Sequence, residues 1–270
     1  MKLSTTGNAE RNLLYIPKNI KKLEEKKYSL GRELLKDGIP RGTTYFIAAE
    51  RIKNESKVLE VGCSYGYFGK QLKNLKQVNI VGIDIDRKAL AEAKKTGAYD
   101  TLLEMNLESF QSLYELKNRY YESFDTILCL DVLEHIRNIN ELFLTLISLL
   151  KPKGELIVSI PNIGHLDIIY NLLIGRFNYS LLGILDNTHL RFFTEDSFRD
   201  WIQIISEDNE LNLQVELIGQ TFSDRIELSG ELDDNLQEYV IKKLISMSKK
   251  VNNKNLFVVQ NLFSVRRYNG

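Results

Sequence analysis

Little in this chain announces a specialised environment. Two cysteines in 270 residues, Cys63 and Cys129, cannot build a disulfide framework, and no paired spacing suggests a zinc site. Both are expected as buried, inert thiols in a reducing, cytoplasmic compartment. Net charge is zero, with 36 basic and 36 acidic residues, so nothing global draws the protein to nucleic acid or to an anionic membrane. The longest apolar run, Leu142 to Leu150, is interrupted by Thr145 and Ser148 and falls far short of the roughly 20 residues a spanning helix needs. The opening MKLSTTGNAERN has no apolar signal core. There is no internal repeat and no low-complexity segment. With only four prolines, 43% hydrophobic and 27% charged residues, the chain reads as one large α/β domain with an appendage.

What is present is organised around Lys57 to Gly69, KVLEVGCSYGYFG. A short apolar run, Lys57 to Val61, meets the turn Gly62-Cys63-Ser64-Tyr65-Gly66, and a helical stretch, Tyr67 to Leu75, follows. Strand, tight turn and helix in that order bring bare backbone N–H groups to a ligand at the carboxyl edge of a sheet. The dinucleotide pattern GxGxxG is not met, because Ser64 and Tyr67 stand at its second and third glycine places. The stretch resembles instead the first motif, ExGxGxG, of class I methyltransferases that use S-adenosylmethionine (SAM). Glu60, Gly62 and Gly66 are in place, and Ser64 replaces the middle glycine.

The chain then alternates. Helix Thr43 to Ile52 and strand Lys57 to Val61 precede strand Val78 to Ile83, helix Asp86 to Thr96, strand Thr101 to Met105 and helix Leu107 to Arg119. Strand Thr126 to Leu130, helix Asn138 to Leu150 and strand Glu155 to Ile160 continue the pattern, which predicts a parallel sheet with helices on both faces. Farther on come a helix from Glu195 to Ile205, strands Leu211 to Ile218 and Leu256 to Val265, and a helix from Leu232 to Met247. The expectation is a Rossmann-like α/β fold: a seven-stranded, mostly parallel sheet whose last strand is antiparallel. Residues 1–42 are expected to form a helical cap and 43–270 the catalytic domain, with an insertion over 161–194. The cap either only packs on the domain or closes over a cofactor with Tyr28 and Arg32.

Candidate chemistry falls at the strand ends. Asp84, in VGIDID, stands where an acid accepts hydrogen bonds from ribose hydroxyls, an arrangement shared by NAD and SAM sites. Asp86 is a candidate helix N-cap. Phe124 to Ile136, FDTILCLDVLEHI, closely resembles the fourth-strand motif of small-molecule SAM methyltransferases. Asp131, Glu134 and His135 there also admit a plainer reading, as a helix start with acids near its N-terminus. DNA-base amino-methyltransferases carry Asp/Asn-Pro-Pro-Tyr at this place, and this chain does not.

The resemblance implies SAM as cofactor and S-adenosylhomocysteine as product. It implies contacts from Glu60, Gly62, Cys63, Ser64 and Gly66, from Asp84 and Ile85, from Asn106 and Leu107, and from the Leu130 carbonyl. Beyond the fifth strand, PNIGH and LDNTHLRFFT resemble methyltransferases of surface-polysaccharide and glycan biosynthesis, which implies that His189, Arg191, Phe192 and Thr194 lie near the active site. Asn162, Tyr179 and Arg191 are candidate acceptor contacts. For the proton of an alcohol acceptor, His189 is the first candidate, His165 the second, and Asp131 a partner or alternative; either histidine could instead be structural. The expected partner is a small-molecule acceptor, foremost a sugar or sugar phosphate. A phosphate, an amine, or a lipid-quinone or natural-product hydroxyl are alternatives. A homodimer, a nicotinamide-dependent oxidoreductase and a silent SAM-binding protein stay open.

Overall fold

The computed structural model describes residues 31–223 and 234–268. Tyr28 and most of the expected cap lie outside the described residues. Helix α1 (Thr44–Arg51) leads to β1 (Lys57–Val61), α2 (Tyr67–Leu75), β2 (Asn79–Asp84), α3 (Arg87–Lys95) and β3 (Thr101–Glu104). Helix α4 (Phe110–Tyr120), β4 (Phe124–Leu130), a 3₁₀ turn (Leu133–His135), α5 (Ile139–Leu149) and β5 (Leu150–Pro161) follow. Then come α6 (Leu166–Leu173), α7 (Glu195–Asp208), β6 (Leu213–Phe222), α8 (Asp234–Lys250) and β7 (Val258–Arg267).

The seven strands run in the order β3-β2-β1-β4-β5-β7-β6. β1 to β5 pair in parallel, while β7 is antiparallel to both β5 and β6. The central strands are buried on both faces, which is why they read as unbroken apolar runs. In β4, Ile127 and Cys129 join one core with Leu142, Phe143 and Phe198, while Leu128 joins the other with Phe68, Leu72 and Ala48.

Local chemistry starts each helix. Thr43, Asp86, Ser109 and Thr194 cap α1, α3, α4 and α7 with side-chain oxygens, each such cap being worth about 1 kcal/mol. The Ser109 cap is why α4 begins three residues after the expected start, with Asn106 to Ser109 forming a turn instead. β5 starts earlier than its apolar run because Leu150 pairs with Phe124 across an irregularity in the ladder. Glu155, nearly buried on β5, takes Arg51 Nη2 at 3.1 Å, Arg266 Nη2 at 2.8 Å and Ser264 Oγ at 2.8 Å, tying α1 to the sheet. Those partners hold its carboxyl below the usual range despite burial.

The insertion after β5 is not a featureless loop. It contains α6, and isolated bridges join Asn162 to Phe193 and Ser180 to Asp186.

Candidate active site

Val61 lies level with Ile83 on β2 and with Cys129 on β4, so three strand ends open their loops at one edge. Strand order reverses between β1 and β4, where an α/β sheet leaves a crevice. A cleft of about 1340 Å³ occupies that edge, larger than the ~300–1,000 Å³ of a typical single-ligand pocket.

The glycine turn is its floor. Gly62 (φ 71°), Ser64 (φ 47°) and Gly66 (φ 74°) are all left-handed. At Gly62 a Cβ would stand 2.8 Å from the Val132 side chain, so both the φ and the space require glycine. Ser64 adopts the conformation of the glycine it replaces, a strained choice for a side-chain-bearing residue. Its N–H donates to Asp84 Oδ2 at 2.8 Å, and Asp86 N–H donates to Asp84 Oδ1 at 2.8 Å. Two backbone donors thus fix the Asp84 carboxylate at the end of β2 while each oxygen keeps further acceptor capacity.

Glu60 lies beneath the turn, accepting from the Tyr99 hydroxyl at 2.7 Å. Burial, with a smaller contribution from Asp84, pushes its carboxyl up to about 7 against that hydrogen bond. Burial likewise raises the Cys63 and Cys129 thiols, as do Glu60 beside the first and Glu134 beside the second. Both cysteines are free and buried, which keeps them protonated and unreactive.

Asp131, the first residue after β4, has φ 54°, uncommon for a side-chain-bearing residue. Its Oδ1 accepts from Ser159 Oγ at 2.6 Å and from Gln260 Nε2 at 2.7 Å, and neither bond uses Oδ2. Burial raises its pKa, opposed by Ser159, Gln260 and the nearby His189.

Of the expected cofactor contacts, Glu60, Gly62, Cys63, Ser64, Asp84, Ile85, Asn106, Leu107 and Leu130 line the cleft. Gly66 does not; it shapes the turn and caps α2. Asn106 Oδ1 accepts from Glu108 N–H at 2.9 Å, folding that side chain onto its own loop. Arg32 is exposed and away from the lining.

The expected acceptor residues fare differently. His165 is 2% exposed, with Asp167 N–H donating to Nδ1 at 3.1 Å and the Ser223 carbonyl 2.9 Å from Nε2. With both ring nitrogens engaged in capping α6 and fastening it to the end of β6, His165 is a structural histidine rather than the second-choice base. Asn162 is fully buried, donating to the Val258 and Asn255 carbonyls and accepting from Gly164 N–H, so it is a fastener and not a substrate contact. Arg191 reaches the Arg137 carbonyl at 2.6 Å, and Tyr179 packs on Phe177 and Phe192; neither lines the cleft. Thr194 caps α7.

His189 is nearly buried behind His135, ring centroids 4.7 Å apart, and it is His135 that stands on the cleft wall. Thr188, Asn187, Leu181 and Leu182 of the insertion and Thr221 and Gln260 of the antiparallel strands complete that end. The LEH signature contained His135. Nothing in the sequence pointed to Thr221 or Gln260, which reach the site only through the antiparallel pairing of β6 and β7.

The crevice fits a SAM-type cofactor: a glycine-walled turn that admits close approach, and a fixed acid one strand away. Side chains able to hold a metal also meet here, since ligand atoms of Glu134, His135 and His189 lie within 4.8 Å of one another.

A family model described as a methyltransferase domain matches residues 31–204. A ubiquinone biosynthesis O-methyltransferase of Rickettsia typhi is 26% identical over 201 residues, covering 73% of this chain and 77% of that protein. Among solved structures, a SAM-dependent methyltransferase from Archaeoglobus fulgidus superposes with a TM-score of 0.55 at 18% identity, over 89% of this chain and 99% of that one. The plantazolicin methyltransferase BpumL in complex with S-adenosylhomocysteine superposes with a TM-score of 0.58 at 16% identity, over 94% and 92%. At these identities the two structures speak for the fold.

Proposed function

The chain belongs to the methyltransferase-domain family and is a SAM-dependent methyltransferase, and on that premise we propose that its acceptor is a hydroxyl on an uncharged, partly apolar small molecule of the lipid-quinone precursor type. The observation that carries this reading is the charge of the cleft. Among the described residues its lining includes Glu33, Glu60, Asp84, Asp86, Glu108 and Asp131 but no lysine or arginine. A sugar phosphate or nucleotide sugar would bring several anionic oxygens to a surface on which no described lysine or arginine side chain meets them. The sulfonium of SAM suits the same surface. Leu181 and Leu182 supply apolar wall, and the relatives named for ubiquinone biosynthesis are O-methyltransferases. The surface-polysaccharide acceptor expected from LDNTHLRFFT has no counterpart among these relatives.

Asp84 would hold the ribose, and Leu130 and Asn106 the two ends of the cofactor. SAM supplies an activated methyl group and leaves as S-adenosylhomocysteine. The chain has to align the acceptor, exclude water and take one proton, and alignment alone can contribute roughly 7–11 kcal/mol. We assign the proton to Asp131. It lines the cleft, its Oδ1 is pinned by Ser159 and Gln260, and its raised pKa makes it a better base than an ordinary carboxylate.

The test offers methyl-labelled SAM with a short-chain polyprenyl catechol, free sugars and nucleotide sugars. Label is expected in the catechol ether, and Asp131→Asn should lower turnover by about 10²- to 10⁴-fold while S-adenosylhomocysteine still binds. Label entering a sugar or nucleotide sugar but not the catechol would overturn the acceptor assignment.

A further inference from the structure

We propose that Glu134, His135 and His189 form a divalent-cation site of the zinc type, with an open coordination position facing the acceptor end of the cleft. Two distant stretches build it. Leu190 N–H donates to the Glu134 carbonyl at 2.7 Å and Arg191 N–H to the same oxygen at 3.2 Å, clamping the insertion onto the turn after β4. That clamp brings His189 Nε2 to 4.0 Å from Glu134 Oε1 and the three ligand atoms within 4.8 Å of one another.

The hydrogen bonds around the imidazoles set their tautomers. His189 Nδ1 lies 2.9 Å from the Ile184 carbonyl, which can only accept, so in the neutral ring Nδ1 carries the proton and Nε2 the lone pair. His135 Nδ1 lies 3.3 Å from the Thr188 carbonyl and 3.0 Å from Thr188 Oγ1. That hydroxyl donates onward to Asp186 Oδ1 at 2.6 Å, so it too accepts from the ring. A backbone carbonyl behind one imidazole and a Thr–Asp relay behind the other are the outer supports that metal-bound histidines use to hold orientation and basicity.

Size and charge agree. A tetrahedral ion with bonds of about 2.0–2.1 Å keeps its ligands about 3.4 Å apart, so the Glu134–His189 pair, at 4.0 Å, needs to close by about 0.6 Å and the widest pair, within 4.8 Å, by up to about 1.4 Å. One carboxylate and two neutral imidazoles carry a single negative charge, and Glu134 is 1% exposed; a bound dication would ligate that buried carboxylate directly and leave one unit of positive charge for an acceptor oxygen. Glu134 and His189 lie behind the wall while His135 is on it, so the remaining coordination position faces the cleft. No pairing of this kind was expected from sequence spacing.

The proposed role rests on the hydroxyl-acceptor reading. An acceptor oxygen bound to the cation loses its O–H proton more readily, the proton passing to Asp131, and the oxygen then forms the new C–O bond as the S–CH₃ bond breaks with its electron pair to sulfur.

The experiment titrates cobalt(II) and zinc(II), separately, into untagged, chelator-stripped full-length protein. Cobalt is read by its d–d absorption and zinc by calorimetry. One equivalent should bind, and Glu134→Gln and His189→Ala should each weaken binding by at least about tenfold, with S-adenosylhomocysteine binding retained as proof of folding. No stoichiometric binding of either ion, or binding indifferent to both substitutions, overturns the site. Metal binding is read without turnover, so a site that binds cobalt while no hydroxyl is methylated rejects the acceptor and keeps the cation.

Discussion

Replacing Glu60 with glutamine leaves an oxygen to accept the Tyr99 hydroxyl and removes a buried charge. Glu60 is 7% exposed beneath the glycine turn, and burial lifts its pKa from 4.5 to about 7. A carboxyl whose folded pKa is raised binds its proton more tightly in the folded state, so its contribution to stability is fully present below pH 4.5 and is lost as pH rises through about 7. The full shift corresponds to about 3 kcal/mol, and about 2 to 3 kcal/mol of it falls between pH 5 and pH 8. The difference in unfolding free energy between Glu60→Gln and the parent should therefore grow in favour of the variant by about that amount across this interval. Urea unfolding at pH 5, 6.5 and 8 measures it, and taking the difference at each pH cancels the other titrating groups. A difference that stays constant with pH would show that Glu60 is ionised as freely folded as unfolded, and would refute the reasoning. The lowered Glu155, held by three partners, should show the opposite sign, losing its contribution as pH falls through its folded pKa.

Asp84→Ala removes the acceptor of two backbone N–H groups and the expected ribose contact, and S-adenosylhomocysteine affinity should fall about 10- to 100-fold by calorimetry. His165→Ala severs the link between α6 and the Ser223 carbonyl; it should cost about 1–3 kcal/mol in urea unfolding with the turnover of folded enzyme unchanged. A drop in kcat without a loss of stability would return His165 to the reaction.

The resemblance to a SAM methyltransferase rested on short-range features, and these kept their places. Buried parallel strands must be apolar on both faces, so LEV, IVGI and TILCL were legible as strands. Gly62 is needed where its own backbone turns, and Asp84 needed only the next loop to be found. The end of β4 announced itself for the same reason, since Asp131 to His135 are consecutive.

The acceptor side was not legible, because it is assembled across the chain. Asn162 and His165 sit in a distinctive motif, yet their side chains are spent on fastening β7, α6 and the end of β6, a use that only the packed neighbours reveal. His189 comes to the site behind His135 because Glu134's carbonyl accepts from Leu190 and Arg191, more than fifty residues away. Thr221 and Gln260 line the acceptor end of the cleft through an antiparallel register that no local pattern encodes. The absence of basic residues from the cleft among the described residues is likewise a property of the assembled surface: lysines and arginines are spread along the sequence, and folding alone determines that none of the described ones lines this crevice. Local backbone geometry, then, is written in neighbouring residues, whereas the chemistry of the acceptor depends on contacts whose partners are far apart in the chain.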